Sequence, residues 1–307
     1  MTVLWHALII TLTIVALWRG ALWTVEAAAR MARRVGMPEL VVGLTVVALG
    51  TSLPEFAVSV SSALEGKADI AMGNVIGSNI FNLGLILGGV ALVRAVATSR
   101  RMVFRDGVML VFTALILIFF LRDMNLARME GLILLGVLAA YLVYLIRQRQ
   151  PAEEDVPSGQ FERMDLLRLP AGLMLVLVGA HFLVDSASTL ALMAGVSEWL
   201  IGITIVAIGT SAPELATSFA ALVRNLHGIS AGNLIGSDLF NLLGVLGLAA
   251  LVQPFSIGTD AQQSLPLLLG MAAVLLILMR SGWRLSQREG GLLILLGITR
   301  WVMNVGG

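Results

Sequence analysis

The chain carries one polar motif twice, each time inside a stretch of otherwise apolar residues. Residues 43–59 read GLTVVALGTSLPEFAVS and residues 202–218 read GITIVAIGTSAPELATS. A second motif follows each copy, GNVIGSNIFNL at 73–83 and GNLIGSDLFNL at 232–242. All matches share one offset of 159 residues, which is for example the distance from residue 55 to residue 214 (214 − 55 = 159). The chain is therefore two copies of one unit, and polar groups repeated within apolar helices are functional candidates in membrane proteins.

The composition places the chain among proteins that fold in a bilayer. Of its 307 residues, 58% are hydrophobic and only 13% are charged, against about 25% charged in soluble domains. A helix needs about 20 mostly apolar residues to cross the hydrocarbon. The sequence predicts an all-α polytopic membrane protein with ten transmembrane helices, at 3–18, 38–64, 69–93, 106–121, 130–146, 165–187, 197–223, 229–252, 263–280 and 289–303.

These spans fall into two groups of five around one polar linker. We expect a first five-helix repeat over 1–147, a linker over 148–164 and a second repeat over 165–307. The linker has two prolines and an acidic run at 153–155, which lacks the alternating ligands of a calcium loop and is typical of a solvated tether. The apolar N-terminus has no basic region before it, so we expect a retained helix and not a signal peptide.

The basic residues are distributed unevenly between the two sides of the predicted membrane protein. Sixteen of the 20 lie in the loops after the odd-numbered spans, which include the linker. The positive-inside rule then places the linker in the cytoplasm and both termini outside. Since each repeat has five spans, the second repeat is inverted relative to the first, as in many secondary transporters.

The first motif predicts a helix break. Pro54 and Pro213 lack an amide hydrogen and clash with the preceding turn, and Gly50 and Gly209 loosen the helix just before them. The break frees backbone carbonyls such as that of Gly50, and within a membrane these need partners from protein, water or ions.

Glu55 and Glu214 follow the breaks at equivalent positions. A charged side chain at the centre of a membrane helix costs about 3 kcal/mol on insertion scales, which indicates a function. Their neighbours are hydroxyls, amides and carbonyls, and the chain has no cysteine. Such hard oxygen ligands suit Na⁺ and Ca²⁺. Two carboxylates balance one Ca²⁺, two Na⁺ or two protons, and this exclusivity is an electrostatic basis for exchange.

At these motifs the sequence resembles the calcium/cation antiporter superfamily, specifically its prokaryotic sodium/calcium exchanger-like membrane proteins. The resemblance implies four cation positions between the second, third, seventh and eighth helices, and alternating access by sliding of the first and sixth helices. It assigns Ca²⁺ to Glu55, Glu214, Thr51 and Thr210. It assigns Na⁺ to the same glutamates with Ser52, Ser78, Thr210, Ser211, Ser237 and the carbonyls of Ala48 and Ala207, and it places Asn82 and Asn241 at the central position.

Two departures from the family pattern affect the choice of ion. Asn241 stands where some relatives carry an acidic residue, and Asp238 stands where the first copy has Asn79. Asp238 either faces the vestibule of the site or caps a helix. The ion stoichiometry and the driving ion are therefore open.

The main alternative is a proton-driven Ca²⁺ exchanger, since a buried glutamate binds protons readily, although hydroxyls beside each glutamate favour Na⁺. An enzyme is disfavoured, because there is no Gly-x-Ser-x-Gly elbow and none of the three histidines has a counterpart at the 159-residue offset. A channel is disfavoured by the multidentate charged site. We expect a protein of a prokaryotic cytoplasmic membrane whose partners are Ca²⁺, Na⁺ and lipid, with no cofactor, nucleic acid or obligate protein partner.

Overall fold

The protein is helical along nearly all of its described length. The computed structural model describes residues 2–147, 160–196, 205 and 207–305. The first half contains α1 (Thr2–Val35), α2 (Glu39–Thr51), α3 (Leu53–Leu64), α4 (Ala68–Val93), α5 (Met102–Asp123) and α6 (Arg128–Arg147). The second half contains α7 (Asp165–Met193), α8 (Ala207–Thr210), α9 (Ala212–Val223), α10 (His227–Val252), α11 (Thr259–Arg280) and α12 (Gln287–Val305).

Seven of the described helices are long and apolar enough to cross a membrane, namely α1, α4, α5, α6, α7, α10 and α11. The bent pair α2–α3 makes an eighth when it is taken as one span. The first eight residues of the predicted seventh span, at 197–204, and most of the predicted linker, at 148–159, lie outside the described residues. The polytopic helical prediction is confirmed at this level.

Helix α1 is longer than its predicted apolar segment, which ended at residue 18. It continues to Val35 because its second half packs on protein instead of lipid, with Ala21, Ala28 and Ala32 buried. Helix α7 lies antiparallel along it, so close that a Cβ at Gly20 would lie 2.8 Å from the carbonyl oxygen of Gly172. The two helices form a long, closely packed pair.

The two halves of the chain meet through reciprocal strand pairs. Strand β1 (Val96–Ala97) pairs with β4 (Arg284–Leu285), and β2 (Asn125–Leu126) pairs with β3 (Phe255–Ser256), both antiparallel. Adding 159 to the residues of β1 and β2 gives those of β3 and β4. Each contact therefore recurs with the two halves exchanged, which is the signature of a two-fold relation.

The backbone of the connections repeats in the same way. The amide of Thr98 donates to the carbonyl of Trp283, and the amide of Ile257 donates to that of Met124, at 3.0 and 2.8 Å. Left-handed backbone conformations also occur at pairs of equivalent positions: Gly36 and Gly195, Gly66 and Asn225, and Met124 and Trp283. The sequence duplication is thus a duplication of local structure as well.

The predicted breaks occur where the motifs place them. The axis bends by 51° between α2 and α3, and Ser52 at the break has φ −80° and ψ 8°. Ser211, between α8 and α9, has φ −88° and ψ 7°. Two π-helical turns, Asn82–Ile86 in α4 and Phe240–Val245 in α10, begin within the last residues of the second motifs, and such turns are frequent at functional sites.

Helices α6 and α10 cross with backbones almost in contact, which gives a test of the packing. A Cβ at Gly131 would lie 2.6 Å from the carbonyl oxygen of Gly247 and 2.9 Å from the Cβ of Ala250. We expect Gly131→Ala to lower the free energy of unfolding by about 1–3 kcal/mol through overpacking.

The matched control is Gly136→Ala on the same helix, where no described atom lies within 4 Å of an added Cβ. This variant should unfold at or above the wild-type temperature, because alanine favours a helix over glycine by about 1 kcal/mol. Tryptophan fluorescence during heating in detergent measures both variants. Equal midpoints for the two would contradict the close crossing.

Candidate ion-binding site

Two buried glutamates lie at the starts of the helices that follow the breaks. Glu55 is in the first turn of α3 and Glu214 in the first turn of α9, and both are 0% exposed. Each carboxylate thus lies at the positive end of a helix dipole, where an anion is favoured. The helix breaks create these two buried N-termini.

The two breaks exchange hydrogen bonds across the halves of the protein. The hydroxyl of Ser52 donates to Oε1 of Glu214 at 3.0 Å, and the hydroxyl of Ser211 donates to Oε1 of Glu55 at 3.2 Å. Each serine therefore serves the glutamate of the opposite repeat. The two first motifs, 159 residues apart in sequence, form one centre.

Five oxygen atoms in and around this centre are buried and accept no hydrogen bond from the described protein groups. They are Oε2 of Glu55, Oε2 of Glu214, Oδ2 of Asp238, Oδ1 of Asn82 and Oδ1 of Asn241. A buried acceptor left without a partner costs about 1–3 kcal/mol. A cation coordinated by these oxygens would offset that cost.

The second motifs supply the facing wall through their amides. Asn241 donates through Nδ2 to the hydroxyl of Ser78 and to Oδ1 of Asn79, both at 3.2 Å. Asn82 donates through Nδ2 to Oδ1 of Asp238 at 3.0 Å. The amide nitrogens are thus held by protein partners, which leaves the amide oxygens as free acceptors.

The hydroxyls of the first repeat contact the second repeat directly. The hydroxyl of Thr51 donates to Oδ1 of Asn233 at 3.1 Å and lies 3.4 Å from that of Ser237. Both Thr51 and Ser237 are 0% exposed, and Thr210 is half-buried in α8. The structure therefore brings Thr51 and Ser237 together at the contact between the repeats.

The carbonyl of Ala48 is already engaged in the helix. It accepts a hydrogen bond from the amide of Ser52 at 3.0 Å and lies 3.3 Å from the hydroxyl of Thr51. The proline instead removes the bond that the carbonyl of Gly50 would accept. Ala207 begins α8, and its side chain lies outside the described residues.

Asn74 and Asn233 connect the glutamate helices to the second motifs. Asn74 donates to the hydroxyl of Ser59 at 2.8 Å and to the carbonyl of Glu55 at 3.2 Å. Asn233 donates to the hydroxyls of Thr217 and Ser218 at 2.9 and 3.0 Å and to the carbonyl of Glu214 at 3.4 Å. These asparagines position the glutamate turns.

Sequence reasoning missed the residues that receive these bonds. Ser59 and Ser218 end the first motif at equivalent positions, and both are 0% exposed. Their repetition at the common offset was the available signal. Their role follows only from the neighbouring helix, because each lies 15 residues from the asparagine that holds it.

The charge of the site is limited to few groups. Among the described residues, no group of three or more His, Cys, Asp and Glu side chains is placed to hold one metal ion together. A cation between the two glutamates would therefore complete its shell with neutral oxygens. This mixture of anionic and neutral oxygen ligands is typical of Ca²⁺ and Na⁺ sites and unlike the nitrogen and sulfur sites of transition metals.

A helical membrane protein with a buried, oxygen-lined centre between two duplicated halves belongs to the class of membrane transport proteins. The model of the family "Sodium/calcium exchanger protein" matches residues 5–147 and 166–299. The chain belongs to this family of antiporters, as the motifs had indicated.

Individual relatives cover nearly the whole chain. The putative antiporter CaxA of Alkalimonas amylolytica is 35% identical over 88% of this chain and 89% of its own length. The inner membrane protein YrbG of Escherichia coli K12 is 35% identical over 91% of this chain and 90% of its own. The solved structure of the sodium-calcium exchanger NCX_Mj soaked with Na⁺ and Sr²⁺ is 32% identical, with a TM-score of 0.83 over 97% of this chain and 98% of that one.

The asparagine contacts give a prediction about the two repeats. Asn233→Ala removes the donor to the buried hydroxyl oxygens of Thr217 and Ser218 and the acceptor of Thr51, whereas Asn74→Ala affects only Ser59 and a carbonyl. We expect Asn233→Ala to lower the free energy of unfolding by about 1–3 kcal/mol, and Asn74→Ala to lower it less. Thermal unfolding in detergent measures the order, and the reverse order would contradict the larger structural role of Asn233.

Proposed function

We propose that the protein is a secondary antiporter that exchanges Ca²⁺ for Na⁺ across a prokaryotic cytoplasmic membrane. The observation that carries the proposal is the crossed pair of serine–glutamate hydrogen bonds, which joins the two buried carboxylates in one centre. Membership of the sodium/calcium exchanger family supports the choice of ions. Because the family and its named exchangers are transporters, we assign no enzymatic activity.

Charge explains why such a centre exchanges ions and does not carry both at once. Glu55 and Glu214 provide about two negative charges when ionised. One Ca²⁺ or two Na⁺ neutralise them, whereas both loads together would leave buried positive charge. Each ion therefore leaves before the other binds, and the gradient of one drives transport of the other.

The proposed ligands follow the centre outward from the glutamates. Ca²⁺ is bound by Glu55, Glu214 and the hydroxyls of Thr51 and Thr210. Na⁺ is bound by the glutamates with the hydroxyls of Ser52, Ser78, Thr210, Ser211 and Ser237 and the carbonyls of Ala48 and Ala207. The amides of Asn82 and Asn241 line the central position. The buried position of Ser78 and Ser237 beside the other repeat supports this assignment.

We infer that the full architecture is ten spans in two inverted repeats of five. The pairs α2–α3 and α8–α9 and the 19-residue α12 complete the count beside the seven long helices. The reciprocal strand pairs support the two-fold relation between the repeats. With an odd number of spans in each repeat, that relation gives the two repeats opposite orientations, on which alternating access around a fixed site depends.

The first experiment measures Ca²⁺ uptake into proteoliposomes that contain the purified protein, at clamped voltage. We expect an outward Na⁺ gradient to drive uptake and an outward proton gradient to leave it near background. Uptake driven by protons alone would favour the proton-driven exchanger and contradict Na⁺ coupling. Uptake that persists without either gradient would contradict exchange.

The site assignment is tested by neutralising both glutamates. Glu55→Gln with Glu214→Gln keeps the size of the side chains but removes the charge that binds Ca²⁺, so we expect uptake to fall at least about 100-fold, on the scale of a few kcal/mol of lost binding. Normal uptake would contradict the assignment.

The matched control is Glu130→Gln with Glu289→Gln, a second pair of glutamates at the 159-residue offset. Their carboxylates accept backbone amides at the starts of α6 and α12, at 2.8 and 2.7 Å, away from the centre. We expect this double variant to transport Ca²⁺ at the wild-type rate. Loss of uptake in both double variants would point to charge removal in general and not to the centre.

The orientation in the membrane is tested by labelling, which the absence of cysteine makes simple. We expect Lys67→Cys, on the side with few basic residues, to react with a membrane-impermeant thiol reagent in intact cells. Ser158→Cys, in the linker, should react only after the cells are opened, because the positive-inside rule places it in the cytoplasm. The opposite pattern would place both termini inside.

A further inference from the structure

One polar residue of the second motif differs between the repeats. The motifs read GNVIGSNIFNL and GNLIGSDLFNL, and the only polar position that changes is Asn79 to Asp238. Asp238 is 0% exposed and lies within α10, so it does not cap a helix end. A carboxylate thus replaces an amide at one of two otherwise equivalent places.

The hydrogen bonds show that the two residues occupy equivalent places. Asn82 donates through Nδ2 to Oδ1 of Asp238 at 3.0 Å, and Asn241 donates through Nδ2 to Oδ1 of Asn79 at 3.2 Å. Adding 159 converts one bond into the other. The Oδ1 atoms therefore have the same role in both repeats.

The second side-chain atom is where the repeats differ. Nδ2 of Asn79 is a donor, and it donates to the backbone carbonyl of Asp238 at 3.2 Å. Its counterpart, Oδ2 of Asp238, carries no hydrogen as a carboxylate and accepts none from the described protein groups. The exchange therefore places a buried acceptor where the first repeat has a satisfied donor.

Two other buried acceptors belong to Asn82, which donates to Asp238, and to Asn241 on the same helix as Asp238. Oδ1 of Asn82 belongs to the amide that donates to Asp238, and Oδ1 of Asn241 lies one helical turn along α10; both are buried without a donor among the described groups. Asp238 adds a third carboxylate to those of Glu55 and Glu214. Oxygen acceptors beside a third negative charge are the surroundings that a hard cation requires.

We propose that Asp238, together with the amide oxygens of Asn82 and Asn241, binds one Na⁺ between the repeats, next to the glutamate pair. This inference rests on the proposed exchange function and adds a ligand to it. The two glutamates already balance one Ca²⁺ or two Na⁺. The third carboxylate adds a single negative charge, which one monovalent cation neutralises.

The competing explanation is an uncharged Asp238 that replaces the amide of Asn79 structurally. The two explanations make opposite predictions for Asp238→Asn. This substitution keeps the size of the side chain, replaces the carboxylate by an amide and makes the second motif match the first at this position. If Asp238 binds Na⁺, this variant loses a charged ligand. If Asp238 is an uncharged amide substitute, it changes little.

The test measures the Na⁺ dependence of Ca²⁺ transport in proteoliposomes. We expect Asp238→Asn to raise the half-saturating Na⁺ concentration at least about tenfold, because affinity depends on the number of charged ligands, and to lower the Hill coefficient for Na⁺. The Ca²⁺ concentration for half-maximal transport should rise less. A Na⁺ curve identical to that of the wild type would overturn the proposal.

The matched control is Asp106→Asn. Asp106 is also 0% exposed within a membrane-spanning helix, but it accepts hydrogen bonds from Arg105 and Tyr141, both at 2.6 Å, and is not part of the centre. Its Na⁺ curve should match that of the wild type, and a shift equal to that of Asp238→Asn would overturn the proposal.

Two further outcomes are distinguished by the same assay. If Asp238→Asn is not recovered folded, Asp238→Ser is measured with the same expectation and the same criterion, since serine is smaller and still accepts the bond from Asn82. If the wild type shows no Na⁺-driven transport, the proposed function itself fails. If the wild type shows Na⁺-driven transport and Asp238→Asn has the same Na⁺ curve, only the role of Asp238 is overturned.

Discussion

A carboxylate buried among apolar helices needs compensation at short range, and the motifs supply it by breaking their own helices. Each break creates a helix N-terminus beside a glutamate, and each break serine donates to the glutamate of the other repeat. Neither half of the chain satisfies its glutamate alone. The centre therefore exists only where the two repeats meet.

The two-fold relation determines what lies at the middle of the protein. Residues near the axis of such a relation contact their own equivalents, as Asn79 and Asp238 do. A substitution near the axis alters a contact that both repeats share. A substitution far from the axis alters only one of two equivalent, separate contacts. The exchange of Asn79 for Asp238 therefore changes a contact that both repeats share.

Close helix crossings make this arrangement possible. A Cβ at Gly236 would lie 2.7 Å from the Cα of Leu44, so the four-residue spacing of Gly232 and Gly236 in the second motif of α10 brings this helix against α2. At Gly73 and Gly77, the equivalent positions of α4, no described atom lies within 4 Å of an added Cβ. One spacing in the sequence thus corresponds to two different surroundings, because glycine permits a close approach but does not select the partner.

The sequence by itself determined the duplication, the helical membrane class, the breaks before Pro54 and Pro213 and the family. These features follow from local chemistry: apolar length, a missing amide hydrogen and a repeat read at a constant offset. It could not determine that Ser52 serves Glu214 instead of the nearby Glu55, that the asparagines of the second motif hold the glutamate turns, or that the carbonyl of Ala48 stays within its helix. Those contacts join residues from different helices, most of them from opposite repeats, and only the packing of the two halves brings them within hydrogen-bonding distance.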